Sequence, residues 1–138
     1  MPAKDIYHNV VVQALTKDRW TITDDPLRLQ WGSRDLYVDL GAEQLLAAEK
    51  DSRKIAVEIK SFISASPVAD LETVLGRYIL YQDILARLDP ERILYLAIRQ
   101  EVFLDLFTEP IGKVLLENNR LRLLVFDPEQ GAIAQWIP

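Results

Sequence analysis

Three ionisable side chains in this sequence, Asp39, Glu58 and Lys60, are of the types that metal-assisted hydrolysis uses. A divalent metal that activates water and neutralises a phosphate needs carboxylate oxygens that converge from different strands. A lysine beside those carboxylates can polarise the nucleophile or hold a phosphate oxygen. The three residues therefore favour phosphate-ester chemistry, provided that the fold brings Asp39 next to Glu58.

Residues 53–62 must position two of these groups. Hydrophobic side chains at positions 55, 57 and 59 alternate with Ala56, Glu58, Lys60 and Phe62, which is the period of a β-strand. Glu58 and Lys60 are thus predicted to point to the same face. The Glu-x-Lys pattern alone is weak, since roughly one chain of this length in two or three contains it by chance. Without further context a structural ion pair is the simpler interpretation.

The segments before this strand predict a helix and several short strands. Residues 3–17 have one apolar helical stripe, with Asp5 and His8 one turn apart on its flank. Residues 20–24, 27–31 and 35–40 predict strands, and Asp39 closes the last of them. Residues 42–50 fit either a helical turn or a strand, and we favour a strand at 45–49 that pairs with residues 53–62 as a hairpin.

The longest predicted helix covers residues 67–88. Ser66 can cap it and Pro67 suits its first position. Its apolar stripe is interrupted by Gln82, which either faces a site or satisfies a buried backbone group. Ile79 and Leu80 widen the apolar surface, so the helix is either central or part of a homodimer interface.

The remaining elements complete an α/β layout. Residues 92–98 predict an interior strand, 100–107 and 110–117 short helices, and 121–126 and 132–137 strands. We predict a single domain over residues 1–138, with a mixed central sheet flanked by helices.

Composition narrows the chemistry. The chain has no cysteine and one histidine, so a metal site must consist mainly of carboxylates and carbonyls, which favours Mg²⁺ or Mn²⁺. The net charge of −5 repels nucleic acid, so DNA binding would need a basic patch, a metal or a partner protein. No apolar run approaches the roughly 18 residues of a membrane span, and we expect a cytoplasmic protein without membrane association.

Asp39 followed by Glu58-Ile59-Lys60 resembles the pattern of the PD-(D/E)xK, or restriction-endonuclease-like, superfamily. The resemblance implies metal-dependent phosphodiester cleavage, with Asp39 and Glu58 as metal ligands and Lys60 as the catalytic lysine. It also implies a contribution from the first helix, through Asp5 or His8, and one from Gln82 on the later helix.

Two features depart from that pattern. Val38 stands where the superfamily has proline, and the segment between Asp39 and Glu58 is long. Glu43 and Glu49 are therefore alternatives to Asp39. From the sequence alone, a simple helix-terminus charge at Asp5 and a structural hydrogen bond at His8 are the plainer interpretations.

Several separate phrases resemble the XisH family of cyanobacterial fdxN element excision controlling factors. They are Lys4-Asp5-Ile6-Tyr7-His8, the segments 37–43, 47–50 and 54–62, and Leu124-Val125-Phe126-Asp127-Pro128-Glu129. This resemblance implies a role in site-specific excision of a DNA element, alongside a recombinase and an XisI-like companion protein. Two hypotheses follow: a Mg²⁺-dependent endonuclease, or a non-catalytic regulator that binds DNA or protein.

Overall fold

The computed structural model describes residues 4–45 and 52–138. The elements in chain order are α1 (His8–Lys17), β1 (Thr21–Asp24), β2 (Leu27–Trp31), β3 (Arg34–Val38), β4 (Leu40–Leu45), β5 (Ser52–Ile59), α2 (Pro67–Leu88), β6 (Arg92–Arg99), α3 (Gln100–Leu106), α4 (Pro110–Glu117), β7 (Leu123–Asp127) and β8 (Ala132–Ile137). None of the helices in the described part of the chain is long and apolar enough to span a membrane.

A six-stranded mixed sheet in the order β1-β4-β5-β6-β7-β8 forms the centre of the fold. The middle strands β5, β6 and β7 are parallel, while β1, β4 and β8 add antiparallel edges. Strands β2 and β3 form a separate two-stranded hairpin. The predicted α/β class with a mixed central sheet is confirmed.

The alternation of side chains along β5 divides the core between the two faces of the sheet. Ile55, Val57 and Ile59 pack with α1 residues in one hydrophobic cluster. Ala56 packs with α2 residues in the other cluster. Because successive residues of a strand point to opposite faces, Glu58 lies on the α2 side.

Helix α2 spans Pro67–Leu88, the range predicted from sequence. The Oγ of Ser66 accepts a hydrogen bond of 3.1 Å from the Ala69 N–H, and Pro67 occupies the first turn. These capping signals are local, and for that reason the sequence locates this helix well.

Two boundary predictions were wrong. Helix α1 begins at His8, so Asp5 lies in the segment before the helix. The predicted strand 35–40 is divided: β3 ends at Val38 and β4 begins at Leu40, which leaves Asp39 at the junction.

In the described part of the chain, β5 pairs in antiparallel fashion with β4, Leu40–Leu45; of the predicted partner strand at 45–49, only Leu45 is described, and it pairs with Ser52. Positions 46–49 lie outside the described residues. Gly41 lies within β4, and a Cβ at this position would come within 3.0 Å of the Asp24 Oδ2, so the close approach of the Asp24 side chain favours glycine here.

Candidate active site

A polar cavity of about 310 Å³ lies at the carboxyl end of β5. It contains all three residues on which the sequence argument depends. The lining residues are Asp5, Tyr37, Asp39, Glu58, Ile59, Lys60, Arg77 and Tyr81.

Asp39 and Glu58 are held together by two hydrogen bonds that involve the backbone. The Asp39 N–H donates to the Glu58 Oε1 at 3.2 Å, and the Ile59 N–H donates to the Asp39 Oδ2 at 2.8 Å. Each carboxylate is thus fixed by the strand segment that carries the other. This mutual arrangement is possible because Asp39 stands at the β3–β4 junction, beside the end of β5.

Both carboxyl groups are harder to ionise than ordinary ones. Glu58 is only 1 % exposed, and this burial, together with the nearby charge of Asp39, raises its pKa to about 8. Burial also raises the pKa of Asp39, although the hydrogen bond from the Ile59 N–H opposes the shift. Two acidic groups with raised pKa values in one cavity are typical of functional sites.

Lys60 follows the last residue of β5 and lines the same cavity. Its N–H donates to the Ala97 carbonyl at 3.2 Å, so the strand pairing with β6 continues one residue further. Its Nζ lies 3.8 Å from the Asp70 Oδ1 in the first turn of α2. This ion pair holds the ammonium group at the cavity wall while leaving the side chain 26 % exposed.

Sequence reasoning did not assign a site role to Arg77. Its Nη1 lies 3.3 Å from the Glu58 Oε2, and the arginine side chain is 49 % exposed. Tyr81, one helical turn later, lines the cavity as well. The spacing of Asp70, Arg77 and Tyr81 along one side of α2 is the signal that could have identified this wall.

Asp5 and His8 have different surroundings. Asp5 lines the cavity, and its Oδ1 accepts a hydrogen bond of 2.9 Å from the Tyr7 N–H. His8 is buried at 4 % exposure and is not among the lining residues. Its Nε2 lies 2.8 Å from the Asp25 Oδ1, which ties the start of α1 to the β1–β2 turn. His8 thus helps to fix the segment that carries Asp5.

Gln82 is exposed and does not line this cavity. It lines a separate cavity of about 180 Å³ together with Tyr78 and Arg122. The neighbouring residue, Tyr81, is buried and lines the site cavity instead.

Of the two alternatives to Asp39, only Glu43 is described by the structure. Glu43 pairs with Lys54 in the β4–β5 ladder and does not line the cavity. Glu49 falls outside the described residues.

The donor set of the cavity limits which metals it could hold. Within residues 4–45 and 52–138, no group of three or more His, Cys, Asp or Glu side chains is arranged to hold a metal ion. A pair of carboxylates is nevertheless what Mg²⁺ commonly uses, because Mg²⁺ keeps several waters and takes further oxygens from a phosphate substrate. The Asp39–Glu58 pair fits a Mg²⁺ ion that also binds water and substrate phosphate, and it does not fit a site in which the protein supplies every ligand.

Comparisons with known proteins agree on one family. The sequence model of the family described as "XisH protein" matches residues 1–134. No curated protein matches the chain.

Two crystal structures are similar over nearly the whole length. An XisH family protein from Nostoc punctiforme PCC 73102 is 38 % identical, with a TM-score of 0.87 over 97 % of this chain and 100 % of that one. A fdxN element excision controlling factor protein from Anabaena variabilis is also 38 % identical, with a TM-score of 0.86 over 98 % of this chain and 100 % of that one. Because the family pattern and both structures extend across nearly all of the sequence, this chain belongs to the XisH family.

Proposed function

We propose that this XisH family protein is a metal-dependent, endonuclease-type enzyme that acts on DNA during control of element excision. The observation that carries the proposal is the convergence of Asp39, Glu58, Lys60 and Arg77 on one cavity. Two acidic and two basic side chains around one open space suit a phosphodiester, whose hydrolysis requires a positioned water and neutralised phosphate charge.

Asp39 and Glu58 would hold Mg²⁺ or Mn²⁺, and a bound metal would supply Lewis-acid activation of water and charge neutralisation. The chain itself does the positioning. The N–H groups of Asp39 and Ile59 fix the two carboxylates, so their separation does not depend on flexible rotamers. This pre-organisation lowers the cost of arranging the reactants.

Lys60 and Arg77 supply the positive charge. Lys60 is held at the cavity wall by Asp70, from where its ammonium group can orient water or bind a phosphate oxygen. The Arg77 Nη1 lies 3.3 Å from the Glu58 Oε2, and the half-exposed side chain leaves the guanidinium able to turn toward a phosphate. Planar guanidinium groups bind phosphate oxygens well through paired N–H donors.

The family gives this chemistry a setting. The similar Anabaena variabilis protein is described as an fdxN element excision controlling factor. We extend that context to this chain, with a site-specific recombinase and an XisI-like companion protein as partners in the cytoplasm. The net charge of −5 makes a companion that contributes DNA affinity especially useful.

The test is cleavage of supercoiled and linear DNA in Mg²⁺ or Mn²⁺, with and without the companion protein. Lys60→Ala and Glu58→Gln should each lower the rate at least about a hundredfold, as loss of a charge-stabilising group does. Lys113→Ala, which changes an exposed lysine of α4 outside the cavity, should leave the rate unchanged. Equal residual cleavage by all four proteins would indicate a contaminating nuclease and contradict the proposal.

A second candidate function is a non-catalytic regulator that binds DNA or a partner protein. The observation that favours it is the Arg77–Glu58 ion pair, which compensates the buried carboxylate without a metal. In that case Mn²⁺ would not bind the Asp39–Glu58 pair, and Lys60→Ala would retain partner binding. Calorimetric titration with Mn²⁺, compared between wild type and Asp39→Asn, separates the two candidates.

A homodimer through the outer face of α2 is also part of the proposal. Ile79 and Leu80 are 44 % and 49 % exposed and lie one helical turn after Gly76. No other atom lies within 4 Å of the place where a Cβ of residue 76 would stand. In an antiparallel pair of α2 helices, Glu72 of one copy would approach Arg87 of the other. Leu80→Lys should convert the dimer to a monomer, as measured by sedimentation velocity. A variant that remains dimeric, or a wild type that is already monomeric, would exclude this interface.

A further inference from the structure

Arg99, the last residue of β6, joins two segments that carry residues of the candidate active site. Its Nη1 donates a hydrogen bond to the carbonyl of Ser61, the residue that follows Lys60. Its guanidinium carbon lies 5.4 Å from the centroid of the Tyr7 ring, in the segment before α1. One side chain thus contacts two segments that are distant from each other in the sequence.

The contact with Ser61 fixes the chain where Lys60 leaves the sheet. The regular pairing of β5 with β6 ends at Ile59 and Ala97, and the Lys60 N–H donates to the Ala97 carbonyl. Ser61 is only 9 % exposed, so its carbonyl oxygen requires a hydrogen-bond partner, which Arg99 supplies. The backbone is therefore held both before and after the Lys60 side chain.

The backbone turn after Ser61 depends on such support. Phe62 has a φ of 54°, in the left-handed region that a bulky residue seldom adopts. This conformation persists only where the surrounding contacts impose it. The Phe62 ring packs in the α2-side hydrophobic cluster, and Arg99 holds the peptide group before it. Loss of the Arg99 contact removes one of the two restraints on the chain beside Lys60.

The contact with Tyr7 fixes another part of the cavity wall. The Tyr7 N–H donates to the Asp5 Oδ1 at 2.9 Å, and Asp5 lines the cavity. The Tyr7 ring also packs against Phe126, with the ring centroids 5.8 Å apart. Arg99 and Tyr7 are both half-buried, and partial removal of water strengthens the attraction between a cation and the face of an aromatic ring.

We propose that Arg99 is a positioning residue of the candidate active site, which fixes Lys60 and Asp5 relative to each other. The inference rests on the proposed nuclease function for its catalytic consequence. Arg99 is not among the residues that line the cavity, so it acts through Ser61 and Tyr7.

The variants remove or restore each contact of Arg99. Arg99→Met removes the charge and the donor, whereas Arg99→Lys keeps a cationic donor. Tyr7→Leu removes the ring and Tyr7→Phe keeps it. Arg92→Met is the matched control, because Arg92 lies at the other end of β6 and its Nη1 donates to the Ile55 carbonyl at 2.9 Å. Thermal unfolding verifies that each variant is folded.

Amide hydrogen exchange, measured by NMR, reports whether both segments depend on Arg99. Relative to the α2 amides in the same sample, the Lys60 and Tyr7 N–H groups should exchange about fivefold faster in Arg99→Met than in wild type. The control Arg92→Met should leave both rates within about twofold of wild type. Exchange rates in Arg99→Met equal to those of the control would overturn the inference.

Single-turnover cleavage at saturating Mn²⁺ measures the catalytic consequence. Arg99→Met should cleave about tenfold more slowly than wild type, because misplacement of a catalytic group lowers the rate. Its Mn²⁺ affinity should stay within about twofold, since backbone N–H groups hold Asp39 and Glu58. Arg99→Lys should recover part of the rate. Tyr7→Leu should cleave several-fold more slowly than Tyr7→Phe, which should match wild type and Arg92→Met.

Two cleavage results would overturn the positioning role. One is a folded Arg99→Met that cleaves at the wild-type rate. The other is equal cleavage by Tyr7→Leu and Tyr7→Phe, which keeps the inference testable even where Arg99→Met does not fold.

The two measurements separate this inference from the proposed function. A wild type that does not cleave DNA would refute the nuclease, and the exchange of the Lys60 and Tyr7 amides would still decide whether Arg99 joins the two segments. Wild-type cleavage together with unchanged exchange in Arg99→Met would support the nuclease and refute the role of Arg99.

Discussion

The Nη1 of Arg77 lies 3.3 Å from the Oε2 of Glu58, so a half-exposed cation on α2 compensates an almost completely buried carboxylate on β5. The positive charge of Arg77 opposes the effects of burial and of Asp39, which together raise the pKa of Glu58 to about 8. The contact between Arg77 and Glu58 therefore influences how easily the Glu58 carboxyl group loses its proton.

Replacing Arg77 with Met should raise the pKa of Glu58 further. The substitution removes the nearby positive charge and keeps an unbranched side chain of similar length. Titration of the glutamate side-chain carboxyl carbons by NMR measures the shift. Arg87→Met, an exposed arginine in the last turn of the same helix, should leave that pKa unchanged. An identical Glu58 titration in both variants would show that the ion pair does not form in solution.

Glu58→Gln should make the protein more stable at alkaline pH. The folded-state pKa of about 8 lies above the ordinary 4.5, so the folded protein binds this proton more tightly than the unfolded chain does. The stabilising effect of the proton is complete below about pH 4.5 and is lost as the pH rises to about 8. Between pH 5 and pH 8.5, the free energy of unfolding of the variant should rise by roughly 4 kcal/mol relative to that of the wild type.

Urea denaturation at the two pH values measures this change. Glu117→Gln, at an exposed position of α4 outside the cavity and the proposed interface, serves as the control and should leave the difference from wild type the same at both pH values. A parallel pH profile for wild type and Glu58→Gln would contradict the raised pKa.

Binding of Mn²⁺ at Asp39 and Glu58 should release close to one proton at pH 7. Glu58 is mostly protonated at that pH, and a metal ligand must be deprotonated. The apparent affinity should therefore increase with pH up to about 8. Calorimetry in two buffers of different ionisation enthalpy counts the proton. Asp39→Asn should abolish the binding, and binding without proton release would place the metal elsewhere.

Asp70→Ala should lower the free energy of unfolding by about 1 kcal/mol. Asp70 accepts a hydrogen bond of 3.3 Å from the Ser64 N–H, and it pairs with Lys60 at the N-terminus of α2. A double-mutant cycle with Lys60→Met should give a coupling of about 0.5 kcal/mol, because both groups are only partly exposed. A coupling of zero would mean that Asp70 does not position Lys60.

Gln82→Ala should leave Mn²⁺ affinity and any DNA cleavage within about twofold of wild type. Its side chain lines a cavity separate from the one that contains Asp39 and Glu58. Tyr81→Phe should alter Mn²⁺ affinity, because the Tyr81 side chain lines the site. Burial is the main cause of the raised pKa of Tyr81, and the nearby charges of Glu58 and Asp39 raise it further. A larger effect from Gln82 than from Tyr81 would reverse this assignment.

The sequence located the elements whose signals are local. The cap at Ser66, the proline at position 67 and the hydrophobic periodicity defined α2 correctly, and alternation along β5 placed Glu58 and Lys60 on one face. The family resemblance was confirmed as well. The start of α1 and the division of β3 from β4 were missed, because strand pairing and packing against distant residues decide them.

Which helix residues complete the site was equally hidden. Gln82 interrupts an apolar stripe and looked like a polar residue directed inward, but the buried face of α2 contains Tyr78, Tyr81 and Leu85, and Gln82 is exposed. Periodicity fixes the relative positions of residues around a helix but not the absolute direction of any one of them.

By itself the sequence determined the chemical types available: paired carboxylates, a lysine two residues after one of them, no thiolates and a single histidine. It also determined that Glu58 and Lys60 share a strand face, since that follows from the backbone period. Only the tertiary structure decided that Asp39 meets Glu58 through reciprocal backbone hydrogen bonds and that Arg77 pairs with Glu58. Those contacts depend on strand register and on how α2 packs against the sheet, and both are set by the core as a whole.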